Sequence, residues 1–296
     1  MEIFITGGTG YIGRHLCREL LAAGHRVTVL SRGSAERAQA ICGAVEVVHA
    51  PEEMTGAEVV VNLAGEPIVG PRWTAARKRA LWESRVGLTG RLVARMVALE
   101  PPPRVLLSGS AVGYYGDRGG EVLVEESPPG SGFGAELCVA WEAAALEAER
   151  RGVRVCLLRT GPVLGPDGGL LARMRLPFRL GLGGPLGSGR QWFAWIHLQD
   201  HLRILRFLMD HETLEGPFNA TAPAPVTQRA FARALGRALR RPALLPAPAP
   251  LLRLLLGEQA EVLLGSQRAV PERLLKAGFR FDFPELEPAL RRAVAG

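Results

Sequence analysis

The sequence predicts an α/β fold, a doubly wound parallel sheet (Rossmann) with a smaller C-terminal α/β substrate lobe. Three observations predict it. A glycine-rich turn, Gly7-Gly8-Thr9-Gly10-Tyr11-Ile12-Gly13, lies between a short apolar run and a helical pattern. Short valine-rich runs recur at 45–48, 59–61, 104–107 and 153–158 and read as further buried strands. Near residue 166 the texture changes, and a glycine-rich loop and a proline-rich linker follow.

Ile3, Phe4 and Ile5 suit a strand buried on both faces. Leu16, Leu20 and Leu21 then repeat at helical spacing until Gly24 closes the pattern. Val27, Val29 and Leu30 begin a second strand. The glycines therefore lie inside a strand–helix–strand unit, the context in which such a turn reads as a dinucleotide site. Pyrophosphate must approach bare amides at a helix N-terminus. A Cβ at Gly10 obstructs that approach, and one at Gly13 holds the helix off the strand. Gly7, Thr9, Gly10, Tyr11, Ile12 and Gly13 are the expected cofactor contacts.

NAD-binding chains tend to end the second strand with an acid that holds the ribose 2′-hydroxyl. Here Ser31-Arg32 stands there, and a hydroxyl beside a guanidinium suits a 2′-phosphate. Arg14 adds charge nearby. The expected cofactor is NADP(H).

With 296 residues and 47% hydrophobic content, the chain can bury one large core or two linked ones. No apolar run of 18 residues occurs, so no membrane span is expected. The first residues read at once as a strand and glycine loop, so no signal peptide is expected. Cys17, Cys42, Cys138 and Cys156 lack metal-ligand spacing and read as buried thiols of a cytoplasmic protein without a metal. Net charge is +7, but the bases are dispersed and few aromatics interleave with them, which argues against nucleic acid. The expected partners are a small-molecule substrate of unknown identity and a second copy in a homodimer.

TGGTGYIG resembles the glycine motif TGxxGxxG of the extended short-chain dehydrogenase/reductases. The fourth strand ends in Asn62-Leu63-Ala64-Gly65, similar to the family's Asn-x-Ala-Gly. That resemblance implies Leu63, Ala64 and Gly65 along the adenosine and ribose. The series NLAGEPI, Arg72-Trp73 and Ser84-Arg85-Val86 with Thr89 resembles an atypical subfamily. Its members are usually labelled epimerase family proteins, and some carry a cell-division-inhibitor label. The FxAxxCxxWE pattern from Phe133 to Glu142 and Trp195-Ile196-His197 are similar to the same subfamily, and the resemblance covers essentially the whole chain.

The resemblance implies roles residue by residue. Ser110 matches the catalytic hydroxyl, and Ser108, Gly161 and Val163 fall on strand ends that border the cofactor. The relay asparagine of ordinary members falls on Arg85, which cannot pass a proton but can bind an anion. Arg72, Arg85 and Arg190 point to an anionic or nucleotide-sugar-like substrate, with Glu66 and Trp192 also lining its cleft.

The family's Tyr-x-x-x-Lys pair is missing. Matching Glu142 to the glutamate that follows the lysine puts Gly134 at the tyrosine and Cys138 at the lysine. Matching Cys138 to the tyrosine puts Glu142 at the lysine; the first register needs fewer gaps. The chain has three tyrosines (Tyr11, Tyr114, Tyr115), and no lysine lies between Lys78 and Lys276. A proton must then come from Ser110, Tyr114 or Tyr115, Cys138, Glu142 or a water. The leading expectation is an NADP(H)-dependent oxidoreductase or epimerase; the rival is a non-catalytic NADP(H)-binding redox-sensing or protein-interaction module.

The expected organisation is a nucleotide domain over 1–165, rejoined by 196–222, and a lobe from 166–195 and 223–296. Within that lobe, Pro242 to Pro250 reads as a linker and Leu251 to Leu264 as an apolar helix. The module they open resembles the subfamily's C-terminal module, whose role is unassigned.

Overall fold

The computed structural model describes residues 1–295. Seven parallel strands form its central sheet: β1 (Glu2–Thr6), β2 (Arg26–Leu30), β3 (Glu46–Val48), β4 (Val59–Asn62), β5 (Val105–Ala111), β6 (Arg154–Thr160) and β7 (Gly216–Ala220). Their order is β7-β6-β5-β4-β1-β2-β3. The order reverses between β1 and β4, which opens a crevice beyond the carboxyl ends of those strands.

Both faces of the sheet are covered, which explains the unbroken apolar runs. On one face Ile3, Ile5, Val59, Val61 and Leu107 pack against Leu16 and Leu20 of α1 (Tyr11–Ala22) and Leu202 and Leu205 of α7 (Leu198–Asp210). On the other, Phe4, Val60, Leu106 and Leu157 pack under Leu92 and Met96 of α4 (Leu88–Val97) and Ala145 of α5 (Phe133–Leu146). Each fully buried leucine of this kind contributes about 1.5–3 kcal/mol.

Helix starts follow local chemistry. Ser34, Thr74 and Thr227 each accept a backbone N–H at the head of α2 (Ala35–Cys42), α3 (Ala75–Trp82) and α8 (Gln228–Leu239). Helix α1 is different: Gly10 stands at its N-cap, no side chain caps it, and its first turn holds no acid. Its first-turn amides are left for something else.

A separate apolar cluster joins Phe178 of α6 (Gly169–Arg179), Trp195, Phe231 and Leu290 of the C-terminal helix (Leu286–Ala295). The apolar stretch after the proline linker is not one helix. It divides into α9 (Ala249–Leu256), a 3-10 turn and α10 (Glu261–Leu264), because Gly257 takes φ +61 at the break. Leu251, Leu254 and Leu255 remain exposed. Among the described residues no helix is long and apolar enough to cross a membrane.

Candidate functional site

The glycine loop is built for close approach. Gly7 has φ +70, and a Cβ there would lie 2.7 Å from the carbonyl carbon of Leu63. A Cβ on Gly13 would lie 2.2 Å from the Gly7 oxygen and 2.7 Å from the Gly8 Cα. Only glycine lets α1 start this near β1. Thr9 and Ile12 lie partly exposed beside the exposed Gly10. Tyr11 turns its side chain away: its hydroxyl donates to the Pro166 carbonyl at 3.0 Å, and its ring covers Gly168 and Gly169. Tyr11 therefore offers a nucleotide its backbone, and Arg14 is likewise engaged, with the Asp167 carbonyl.

Beside this loop, Leu63-Ala64-Gly65 is fixed from beneath by Thr6. The Thr6 hydroxyl accepts the Ala64 N–H at 3.1 Å and donates to Asn62 Oδ1 at 2.7 Å. Register places Thr6, Asn62 and Ser108 in one row across β1, β4 and β5. Asn62 Nδ2 donates to Ser108 Oγ at 3.2 Å and to Thr89 at 2.8 Å, and Trp141 Nε1 also donates to Thr89. Ser108 is fully buried and its hydroxyl accepts from Asn62, so the expectation that it touches the cofactor is corrected; Asn62 and Thr89 are what tie α4 and α5 to the sheet.

Two residues along β5, a second polar row runs Ser110, Arg159 and Asn219 across β5, β6 and β7. Glu142 of α5 lies over it. Arg159 Nε and Nη2 donate to the two Glu142 oxygens at 2.9 Å each, a two-pronged pair buried at 4% and 7% side-chain exposure. The Ser110 hydroxyl donates to Glu142 Oε1 at 2.6 Å. Burial disfavours the Arg159 charge, but the Glu142 carboxylate overrides it and holds the guanidinium above its ordinary value. Sequence reasoning missed Arg159; its only signal was a charge at the carboxyl end of a strand whose middle, Val155 to Leu158, is apolar.

Tyr115 belongs to the same cluster and is corrected as a proton source. Its hydroxyl donates to Asn219 Oδ1 at 2.7 Å and accepts from Arg159 Nη1 at 3.1 Å. It is fully buried, and burial pushes its phenol up to about 12. Tyr114 lies under the Arg159 guanidinium at 3.5 Å. Cys138 lies beside Ser110, but burial pushes its thiol up to about 11, far from thiolate chemistry. Glu142 is an ion-pair partner of Arg159 and accepts the Ser110 hydroxyl. A Cβ on Gly134 would meet nothing within 4 Å, so the position matched to the missing tyrosine is open.

The expected substrate residues separate. Arg85 sits in a π-helical turn, Glu83–Gly87, stacked on Trp141 with its guanidinium carbon 5.3 Å from the ring centre. A Cβ on Gly65 would lie 2.9 Å from that carbon, so Arg85 faces the Leu63–Gly65 side of the crevice. It donates to the Glu66 carbonyl at 2.9 Å, and burial pulls its guanidinium below its ordinary value while leaving it cationic. Arg72 is committed elsewhere, donating to the Leu254 carbonyl at 2.6 Å. Trp192 is covered by Arg268 at 4.2 Å, and Arg190 is exposed. Glu66 binds two arginines, Arg32 and Arg77, at 3.2 Å each. These contacts correct the substrate expectation for Arg72 and Glu66. Ser31 is nearly buried, and its hydroxyl accepts the Gly33 N–H at 3.1 Å.

Gly161 leaves no room for a side chain, since a Cβ would lie 2.0 Å from the Ala194 oxygen. Val163 pairs in parallel with Ile196. The segment after α9 clamps both rims of the crevice. Buried Gln259 donates to the Ile68 and Pro71 carbonyls at 3.1 Å each, and Gln267 donates to the Gly116 carbonyl at 2.7 Å. Among the described residues no group of three or more His, Cys, Asp or Glu is placed to hold a metal ion.

Comparison with known proteins agrees with this geometry. Residues 3–220 match the model of the NAD dependent epimerase/dehydratase family, and residues 247–293 match a domain of unknown function, DUF1731. The chain is 41% identical over 301 residues to the chloroplastic epimerase family protein SDR39U1 homolog of Arabidopsis thaliana, covering 98% of this chain and 86% of that protein. It is 39% identical over 302 residues to epimerase family protein SDR39U1 of Mus musculus, covering 100% of both. The crystal structure of human epimerase family protein SDR39U1 (isoform2) with NADPH superposes with a TM-score of 0.90 at 34% identity, covering 100% of this chain and 99% of that one.

Proposed function

The chain belongs to the NAD dependent epimerase/dehydratase family, and on that premise we propose that it is an NADP(H)-dependent oxidoreductase or epimerase whose proton handling runs through Ser110. One observation carries the cofactor half: an uncapped, acid-free α1 N-terminus behind a glycine loop too tight for any Cβ at Gly13. The human relative with NADPH supports the same reading. The pyrophosphate would rest on the amides of Gly10 to Gly13, and Leu63–Gly65 would lie along the adenosine ribose.

The nicotinamide, when bound, supplies or accepts the hydride. The chain's own task is the proton. Ser110 donates to Glu142, so its lone pairs are free to accept from a substrate hydroxyl. As that hydroxyl gives its proton to Ser110 Oγ, the serine proton passes to Glu142 Oε1. The reverse path protonates a carbonyl. Arg159 holds the carboxylate in line for the transfer through two hydrogen bonds. Arg85 supplies an unpaired positive charge on the crevice wall for an anion, either pyrophosphate or an acidic substrate.

The non-catalytic reading has one observation in its favour. Ser110, Tyr115, Cys138 and Glu142 are all buried, at 5%, 0%, 6% and 6% exposure, which leaves Tyr114 as the one expected side-chain proton source that is partly exposed. Stopped-flow absorbance of bound NADPH against a panel of carbonyls and nucleotide sugars separates the two. Oxidation that disappears in Ser110→Ala supports the enzyme, whereas tight binding with no oxidation by any compound supports the module.

A further inference from the structure

We propose that Arg77, together with Arg32, forms a pocket for a ribose phosphomonoester, and that Glu66 is a built-in counter-ion which the phosphate displaces. The inference deepens the NADP(H) reading and rests on it.

The three side chains come from three places. Arg32 follows β2, Glu66 follows β4, and Arg77 lies in the first turn of α3. Arg32 Nη1 reaches Glu66 Oε1 at 3.2 Å, and Arg77 Nη1 reaches Glu66 Oε2 at 3.2 Å. One carboxylate thus bridges two guanidinia. Hydrogen bonds from Arg77, then from Arg32, hold the Glu66 carboxyl below its ordinary value, so it stays anionic at neutral pH.

The bridge is incomplete. Arg32 is 92% exposed, whereas Arg77 is 17% exposed. Arg77 Nη2 is satisfied by the Pro67 carbonyl at 2.5 Å, but its Nε is buried with no acceptor. A buried cationic donor without a partner is costly, and its presence points to a missing acceptor. Glu66 leaves this Nε unserved, because its Oε1 is drawn to Arg32 and its Oε2 to Arg77 Nη1. A phosphomonoester offers three oxygens and carries about twice the charge at neutral pH. Placed between the two guanidinia, it can serve Arg32, Arg77 Nη1 and the orphaned Nε together. Arg32 stands where a dinucleotide fold brings the adenosine 2′-substituent, so the phosphate is a 2′-phosphate. NAD(H) lacks that group and leaves the Glu66 bridge closed.

Two nucleotide fragments test this on the full chain by calorimetric titration: adenosine 2′,5′-bisphosphate and adenosine 5′-monophosphate. Wild type should prefer the bisphosphate. Arg77→Ala should weaken bisphosphate binding about tenfold or more, the worth of a charge-assisted hydrogen bond, with the monophosphate unchanged. Arg77→Lys, which keeps the charge and loses the fork, should fall between. Glu66→Gln should tighten the bisphosphate several-fold by removing its competitor and leave the monophosphate unchanged. Full preference retained in Arg77→Ala, or weaker bisphosphate binding in Glu66→Gln, overturns the inference while leaving the NADP(H) reading intact. A wild type with no preference between the fragments overturns both.

Discussion

Replacing Glu142 by glutamine changes one atom and should cost more than most core deletions. The side chain holds three donors: Arg159 Nε and Ser110 Oγ on Oε1, and Arg159 Nη2 on Oε2. An amide can keep its oxygen at Oε1, but its NH2 then faces the Arg159 Nη2, donor against donor. Water cannot repair this at 4% and 7% side-chain exposure. Removing one partner of a buried pair costs about 3–5 kcal/mol. At about 2–4 °C per kcal/mol, roughly the figure for chains somewhat shorter than this one, the melting temperature should fall by about 6–20 °C. Ser110→Ala leaves the Arg159–Glu142 pair intact and should cost only about 1 kcal/mol. The double change Glu142→Met with Arg159→Met removes both charges and should recover much of the loss. Thermal and urea melts read all three. A Glu142→Gln protein that melts within about 2 °C of wild type would show that the pair is neither buried nor coupled, and the proton route through Ser110 would fall with it.

Other outcomes follow from the same geometry. Gly13→Ala puts a Cβ 2.2 Å from the Gly7 oxygen, so α1 must shift; a destabilisation of about 1–3 kcal/mol and loss of NADPH binding by fluorescence titration should appear together. Burial pulls His197 and His201 down to about 4, below the ordinary 6.5. The unfolded chain therefore binds their protons first, and stability should fall as pH drops from about 6.5 to about 4, by up to about 1.4 kcal/mol per pH unit for each ring. Urea melts of His201→Gln should show a shallower fall across that window, and an unchanged slope would contradict the assignment. Cys138, with its thiol pushed up to about 11, should resist iodoacetamide in the native protein at neutral pH and react once unfolded, as read by peptide mass mapping.

The sheet was legible where burial writes itself into the residues. Ile3 to Ile5 falls within β1, and Leu16 and Leu20 do lie on the buried stripe of α1. Gly13 announced its own reason, since the helix cannot approach the strand with a Cβ there. What stayed hidden was pairing at a distance. Nothing local joins Glu142 to Arg159; parallel register sets Arg159 beside Ser110, and only then does α5 bring the carboxylate. Ser108 and Ser110 look alike in the chain, two residues apart on one face, yet one is caught by Asn62 and the other by Glu142. Glu66 and Arg72 read as free charges because their partners, Arg77 and the Leu254 carbonyl, become neighbours only through folding. The single helix expected over Leu251 to Leu264 failed at Gly257, where a positive φ outweighed an apolar pattern that continues on both sides.

Titration of the wild-type protein with NADPH and with NADH, at one ionic strength, tests the central claim most directly. Bare amides at α1 should bind either nucleotide, and the arginines beyond β2 should favour NADPH by about tenfold or more. Equal or tighter binding of NADH, or no binding of either, would contradict it.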